Sequence, residues 1–249
     1  MPPRLPPQVR ETLGDLADGL RAALGERLTA LYLGGSAVLG SFHDAASDLD
    51  FLAVIDGPLA PDGRHALAAL HDTLRGRGPY GDRLDGAYVP RELLTPEGAS
   101  GPVPSCRLGR FAAGGEGAAV TADVIYHVRE QGFTLHGAEP KLVLPRVTEA
   151  GMRAALQAAL RQDPAPAATP EAAAAALLDM LRRACTLELG RPVSRADGAA
   201  WALATLDAAW HPAVRAALAV REGRGTAADG RAAAEALPGL HALVRSRYG

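Results

Sequence analysis

The run Leu28-Thr29-Ala30-Leu31-Tyr32-Leu33 leads into Gly34-Gly35-Ser36, and eleven residues later Asp48-Leu49-Asp50 opens onto Phe51-Leu52-Ala53-Val54-Ile55. Both apolar runs have strand length, and Asp56-Gly57-Pro58 stops the second. Carboxylates at i and i+2 of a strand share one face. Phe51, Leu52, Val54 and Ile55 mark this strand as buried, where an unpaired carboxylate pair is costly unless a cation lies between the two. Mg²⁺ suits Asp48 and Asp50, because it prefers oxygen ligands and takes one or two carboxylates together with substrate phosphates. A strand ending in Gly-Gly-Ser permits close backbone approach, so the N–H groups around Gly35 and the Ser36 hydroxyl can hold a phosphate. Ser47 adds a hydroxyl beside Asp48. These are the parts of a metal-dependent site acting on a nucleoside triphosphate.

Transfer to an alcohol also needs a group that accepts the hydroxyl proton. Asp85, in Leu84-Asp85-Gly86-Ala87-Tyr88-Val89, lies in a third strand-like run that fits beside the second and puts its carboxylate on the same face. Asp123 is the rival. The plain alternatives are a ligand-free strand-to-helix turn at Gly34–Ser36 and a simple turn at Asp85-Gly86. The spacing to Asp48 and Asp50 favours the site.

Composition narrows the class. The chain has 249 residues, 26 Lys+Arg against 28 Asp+Glu, 48% hydrophobic and 22% charged residues, which is globular composition with room for one large or two small domains. A net charge of −2 argues against a dedicated nucleic-acid binder, whose affinity comes mainly from phosphate neutralisation. Two unpaired cysteines, Cys106 and Cys185, and seven scattered histidines predict neither a disulfide framework nor a zinc site. The Met1–Pro7 stretch lacks the apolar core of a signal peptide, and no apolar run approaches the ~20 residues of a membrane span, so a cytoplasmic protein is expected. Aromatics are only 4% and alanine is abundant, which predicts cores of Leu, Ala and Val.

Around the motif, Val9, Leu13, Leu16, Leu20 and Leu24 predict a helix stopped at Gly25. A helix over 62–75, capped by Asp62, follows the second strand, and Pro90 closes the third. Residues 97–116 read as a Gly/Pro/Ser-rich loop, and 121–130 fits a strand or a helix, with helix preferred. Beyond residue 147 helical patterning takes over: a helix capped by Thr148, a Pro/Ala linker at 163–168, and Thr169-Pro170-Glu171 opening a helix that ends at Gly190. Ser194 and Asp197 form a capping-box start, Pro212 opens another helix, and the last ends near Tyr248. That half reads as a small helical bundle. Trp201 and Trp210 read as packing residues, and Arg182, Arg183, Arg215 and Arg221 as solvated helix faces, one of which can neutralise a triphosphate.

Gly-Gly-Ser followed by Asp-Leu-Asp resembles the signature of the DNA polymerase β-type nucleotidyltransferase superfamily. Leu84–Val89 is similar to the third-carboxylate strand of the streptomycin/spectinomycin-type aminoglycoside adenylyltransferases. Phe133-Thr134-Leu135-His136-Gly137 resembles the close of their first domain, and 180–206, with Gly190-Arg191, Ser194-Arg195 and Ala199–Leu203, their helical C-terminal domain. The resemblance spans about 20–225. It implies an α/β (α+β) nucleotidyltransferase domain with a mixed sheet over 1–147, an all-α helical bundle over 148–249, and substrate in the cleft between them. It further implies AMP transfer from ATP to an aminoglycoside hydroxyl, with Ser36 and Ser47 on the triphosphate, Asp48 and Asp50 on Mg²⁺, and Asp85 as base or third metal ligand, where the family often has Glu. The partners implied are ATP and a small-molecule hydroxyl acceptor, with no nucleic acid and no membrane, acting as a monomer. The family holds its cationic antibiotic with an aromatic and an acidic residue on the C-terminal helices; Ala184, Cys185 and Ala200 stand there, with Glu188, Asp197 and Trp201 nearby. Two alternatives follow: the same chemistry on a protein hydroxyl (as in toxin–antitoxin nucleotidyltransferases) or another metabolite, or a non-catalytic nucleotide-binding module.

Overall fold

The computed structural model describes residues 5–44, 47–99, 101–114, 120–164, 167 and 169–249. Two compact units result: residues up to Phe42 with Ser47–Gly151, and His43–Ala46 with Met152–Gly249.

The first unit is a mixed sheet with helices. Its elements are α1 (Pro7–Leu24), β1 (Leu28–Leu33), α2 (Gly35–Val38), β2 (Leu49–Ile55), α3 (Pro61–Arg75), β3 (Leu84–Pro90), β4 (Leu94–Thr95), β5 (Gly98–Ala99), β6 (Ser105–Arg107), β7 (Arg110–Ala112), α4 (Ala122–Gln131), β8 (Phe133–Gly137) and α5 (Pro140–Val143). The six-stranded sheet runs β7-β6-β3-β2-β1-β8, and β4 pairs with β5. Within it β2 and β3 are parallel and the other pairs antiparallel. The parallel crossover is α3, whose start differs from expectation: Ala60 takes the N-cap position, Pro61 sits in the first turn, and Asp62 is a first-turn acid that caps nothing. Proline's fixed φ suits that position.

The stretch expected to be loop contains β5, β6 and β7. The turn between β6 and β7 is Leu108-Gly109, at φ 48° and 69°, the two left-handed residues that a tight hairpin needs. Three-residue strands leave too short an alternation to be read among glycines and prolines.

Alternation in the long strands separates two faces. Leu31, Leu33, Leu49, Phe51, Ala53, Ile55, Leu84 and Tyr88 join Leu13, Leu16 and Leu20 of α1 and Leu67 and Leu74 of α3 in one core. Each such leucine contributes about 2 kcal/mol by leaving water. Asp50 and Asp85 have the opposite parity and lie on the other face.

Inside this core sits a chain of polar side chains. His71 stacks between Phe51 and Phe111, with ring centroids 6.2 Å away on each side. Its Nε2 lies 2.5 Å from the Tyr88 hydroxyl and its Nδ1 3.3 Å from the Cys106 Sγ, and the thiol donates to the Leu84 carbonyl at 3.4 Å. One neutral tautomer satisfies every step: Tyr88 donates to Nε2, and Nδ1–H donates to sulfur. Burial holds His71 down at about 4 against its ordinary 6.5, pushes Cys106 up to about 12 with the Asp85 charge adding to the effect, and raises the Tyr88 hydroxyl well above its usual value.

The second unit is helical: α6 (Glu149–Arg161), which starts at the unit boundary, α7 (Pro170–Leu189), α8 (Arg195–Thr205), α9 (His211–Arg221) and α10 (Ala227–Tyr248). Part of the expected 163–168 linker lies outside the described residues. Thr148 Oγ1 accepts from the Gly151 N–H, Thr169 caps α7, and Gly190 ends it at φ 68°. Ser194 and Asp197 close the expected capping box, and Thr226 and Asp229 form a second. Alanine is the packing residue: Ala173, Ala184, Ala199, Ala202, Ala217 and Ala233 are fully buried. A Cβ on Gly198 would lie 2.6 Å from the Arg182 backbone, so α8 meets α7 backbone to backbone. Among the described residues, no helix is long and apolar enough to cross a membrane.

Candidate active site

The site begins where β1 ends. Gly34 N–H donates to the Asp50 carbonyl at 2.8 Å, which ties the turn to β2. Gly35 follows at φ +59°, a conformation that disfavours any Cβ. The Asp50 side chain occupies that space: a Cβ on Gly35 would lie 1.7 Å from Asp50 Oδ2 and 2.6 Å from its Cγ. Glycine is therefore required here twice, by backbone conformation and by the carboxylate laid on its Cα.

Asp50 is the only exposed residue of β2, whose other positions are buried. Its register partner on the parallel β3 is Asp85, half-buried. Paired residues of neighbouring strands point to the same side, so the two carboxylates stand together on the face away from α1 and α3. Asp48, half-buried, lies just before β2, which starts at Leu49 rather than at Asp48. Among the described residues, no three His, Cys, Asp or Glu side chains converge as a ready metal cage. An oxygen-only pair still fits Mg²⁺, which draws its remaining ligands from phosphate and water.

The serines differ from one another. Ser36 is half-buried in α2, whereas Ser47 is 1% exposed, so its hydroxyl faces the interior. Asp123 accepts from the Thr121 hydroxyl at the start of α4, the structural role open to it at a helix N-terminus.

One site residue carries no sequence signal. His127, on α4, accepts the Gly35 N–H on its Nε2 at 2.9 Å. That amide, expected to face a phosphate, is engaged by a side chain 92 residues away.

In the second unit, Asp179 meets three arginines: Arg182 at 2.9 Å, Arg183 at 2.8 Å and Arg195 at 3.9 Å. Burial alone would raise the Asp179 carboxyl, but the three guanidinium groups outweigh it and hold the group well below the usual carboxylate range. Arg182 and Arg183 are thus ion-paired rather than simply solvated. Asp179→Asn leaves three cations facing one another, and is expected to cost about 1–2 kcal/mol, discounted for partial exposure, read as a lower thermal midpoint that added salt partly restores.

The residues expected to lie near an antibiotic-binding position have structural roles. Ala184 and Cys185 are buried. Glu188 accepts from the Trp201 indole N–H at 3.2 Å and from the Tyr248 hydroxyl, while Trp201 meets the Tyr248 ring edge-on at 5.9 Å. Asp197 is spent on the α8 capping box.

Residues 142–243 match the family described as aminoglycoside adenylyltransferase, C-terminal domain. The whole chain is similar in fold to the spectinomycin adenyltransferase AAD(9) from Enterococcus faecialis, solved with ATP and spectinomycin, with a TM-score of 0.73 at 15% identity over 96% of this chain and 98% of that one. No curated protein matches the sequence. Residues 142–243 thus match an aminoglycoside adenylyltransferase C-terminal domain, and nearly the full length of the chain follows the fold of that adenyltransferase neighbour.

Proposed function

We propose that the enzyme moves AMP from ATP, with Mg²⁺, to a hydroxyl of an aminoglycoside of the streptomycin/spectinomycin type. The observation that carries this reading is the register pair Asp50 and Asp85, with the Gly35 turn folded against Asp50. The family match and the ATP and spectinomycin bound by the structural neighbour support the co-substrate and the acceptor class.

Asp48 and Asp50 would hold the metal, which when bound polarises the phosphate oxygens and offsets charge built up in transfer. Ser36 and the turn orient the triphosphate, with Ser47 supporting Asp48 from within. Asp85 accepts the proton of the acceptor hydroxyl as that oxygen attacks the α-phosphorus in line; the bond to pyrophosphate breaks, and an AMP ester remains. Being shorter than Glu, Asp85 sits one methylene further from the acceptor than the residue common in the family.

A second reading, the same transfer to another hydroxyl, is favoured by one observation: Glu188 and Trp201, the acid and aromatic nearest the antibiotic-binding positions, spend their polar atoms on each other and on Tyr248. Purified protein with ATP, Mg²⁺ and an aminoglycoside panel, read by mass spectrometry, decides between them. An AMP adduct on a streptomycin-type drug is expected. Pyrophosphate release with no adduct on any drug moves the acceptor elsewhere. Asp85→Asn is expected to bind ATP normally and to lose turnover at least about 10²-fold; loss of ATP affinity instead makes Asp85 a metal ligand.

A further inference from the structure

The Gly34–Ser36 turn is built on a glycine free to adopt other conformations, and something must hold it in this one before nucleotide arrives. Gly35 at φ +59° is one of many conformations open to glycine, so the turn by itself is not fixed. Beyond the local bonds from the Leu39 and Ser41 N–H groups to the Gly35 and Ser36 carbonyls, two contacts tie it to other elements: Gly34 N–H on the Asp50 carbonyl, and Gly35 N–H on His127 Nε2. The first ties the turn to β2. The second ties it to α4, a separate element, and selects the direction of the Gly34–Gly35 peptide. The imidazole also packs by the preceding residue, since a Cβ on Gly34 would meet the His127 ring at 3.8 Å and Val128 at 3.5 Å.

We infer that His127 is a positioning residue for the nucleotide: its Nε2 lone pair holds the Gly35 peptide so that the turn is preformed for a triphosphate and its Cα face receives the Asp50 carboxylate. The inference rests on the nucleotidyl-transfer reading of this site. The ring that does this is neutral, with its proton on Nδ1, because an imidazolium has no lone pair to accept with. The arrangement also assigns the donors. With the Gly35 amide committed to His127, the phosphate is taken by Ser36 rather than by Gly35. When His127 is removed, the amide loses its acceptor, the turn samples other glycine conformations, and the ordering must be supplied by the nucleotide itself, which appears as weaker ATP binding.

The test compares His127→Leu with His127→Gln, whose amide oxygen can accept in place of Nε2. Amide hydrogen exchange at Gly35, calorimetric binding of Mg²⁺-ATP, and steady-state kinetics are measured on each. In the wild-type protein and His127→Gln, the Gly35 amide is expected to be protected. In His127→Leu it exchanges faster, the Kd and KM for ATP rise about ten-fold, and kcat and the acceptor KM stay within about three-fold, as loss of one hydrogen bond predicts. His127→Gln is expected to return the ATP constants to within about three-fold of wild type. Equal ATP binding by the two variants, or unchanged Gly35 exchange in His127→Leu, overturns the inference while leaving the nucleotidyl-transfer reading intact. So does a loss of ATP binding that only follows a loss of folded protein, read from thermal midpoints in the same samples. A wild-type protein that binds no ATP overturns the reading itself, and the inference with it.

Discussion

Gly35→Ala is expected to abolish AMP transfer, by about 10³-fold or more, in a protein that still folds. The added methyl group meets two obstacles. At φ +59° an L-residue is strained by about 1–2 kcal/mol. The new Cβ would also stand 1.7 Å from Asp50 Oδ2, far inside contact distance, so the carboxylate must leave. Asp50 is the exposed second residue of β2 and can swing outward, so the core is spared while the site is lost. Displacing a reacting constellation by about 1 Å already costs about 10²-fold, and here the turn and the acidic group move together. Pyrophosphate release measures the loss, and a thermal midpoint within several degrees of wild type shows that folding persists. Gly14→Ala is the control: within α1, with nothing within 4 Å of the added Cβ, it should keep full activity and gain up to about 1 kcal/mol. Near-normal turnover in Gly35→Ala would show that Asp50 works from a position other than this one.

Acidification is expected to remove about 3 kcal/mol of stability through His71 alone. Its folded value is about 4 against an ordinary 6.5, so the unfolded chain takes up the proton first. Stability from this group is complete above pH 6.5 and is lost as the pH falls from 6.5 to 4, at up to about 1.4 kcal/mol per unit. The cause is the site's construction: His71 is fully buried between two phenylalanine rings, with Tyr88 and Cys106 on its nitrogens, and the cost of burying a charged ring outweighs the opposing pull of the Asp72 charge. The lowered acids, Asp179, Glu171, Glu188 and Asp229, have ordinary values of 3.8, 4.5, 4.5 and 3.8, so their contributions fade at lower pH and leave the window above about 4.5 to the histidine. Urea unfolding at intervals from pH 4.5 to 7.5 measures the slope. His71→Asn should be less stable at pH 7 but nearly flat across the window; equal slopes in both proteins would sink the assignment.

The legible parts of this chain were those whose physics is local. The stripe of α1 was readable from Val9, Leu13, Leu16 and Leu20, and the caps at Thr169 and Ser194 from side chains that reach only three residues along. The short strands β6 and β7 were not, since their stability comes from pairing with β3 and from a hairpin that forces Leu108 to positive φ. The poverty of aromatics acquired a structural meaning: the second unit packs on alanine, and its Trp201 serves Glu188 and Tyr248.

By itself the sequence determined that two acids follow a Gly-Gly-Ser turn after eleven residues, and that a third acid lies near the start of a later strand, because residue type, order and strand parity are written along the chain. Only the tertiary structure decided which residues lie together at the candidate site. Parallel pairing sets Asp85 opposite Asp50, the helix α4 brings His127 to the Gly35 amide, and Ser47 turns inward. Each of these depends on a contact between segments far apart in sequence, and no local pattern encodes a register or the direction in which one amide points.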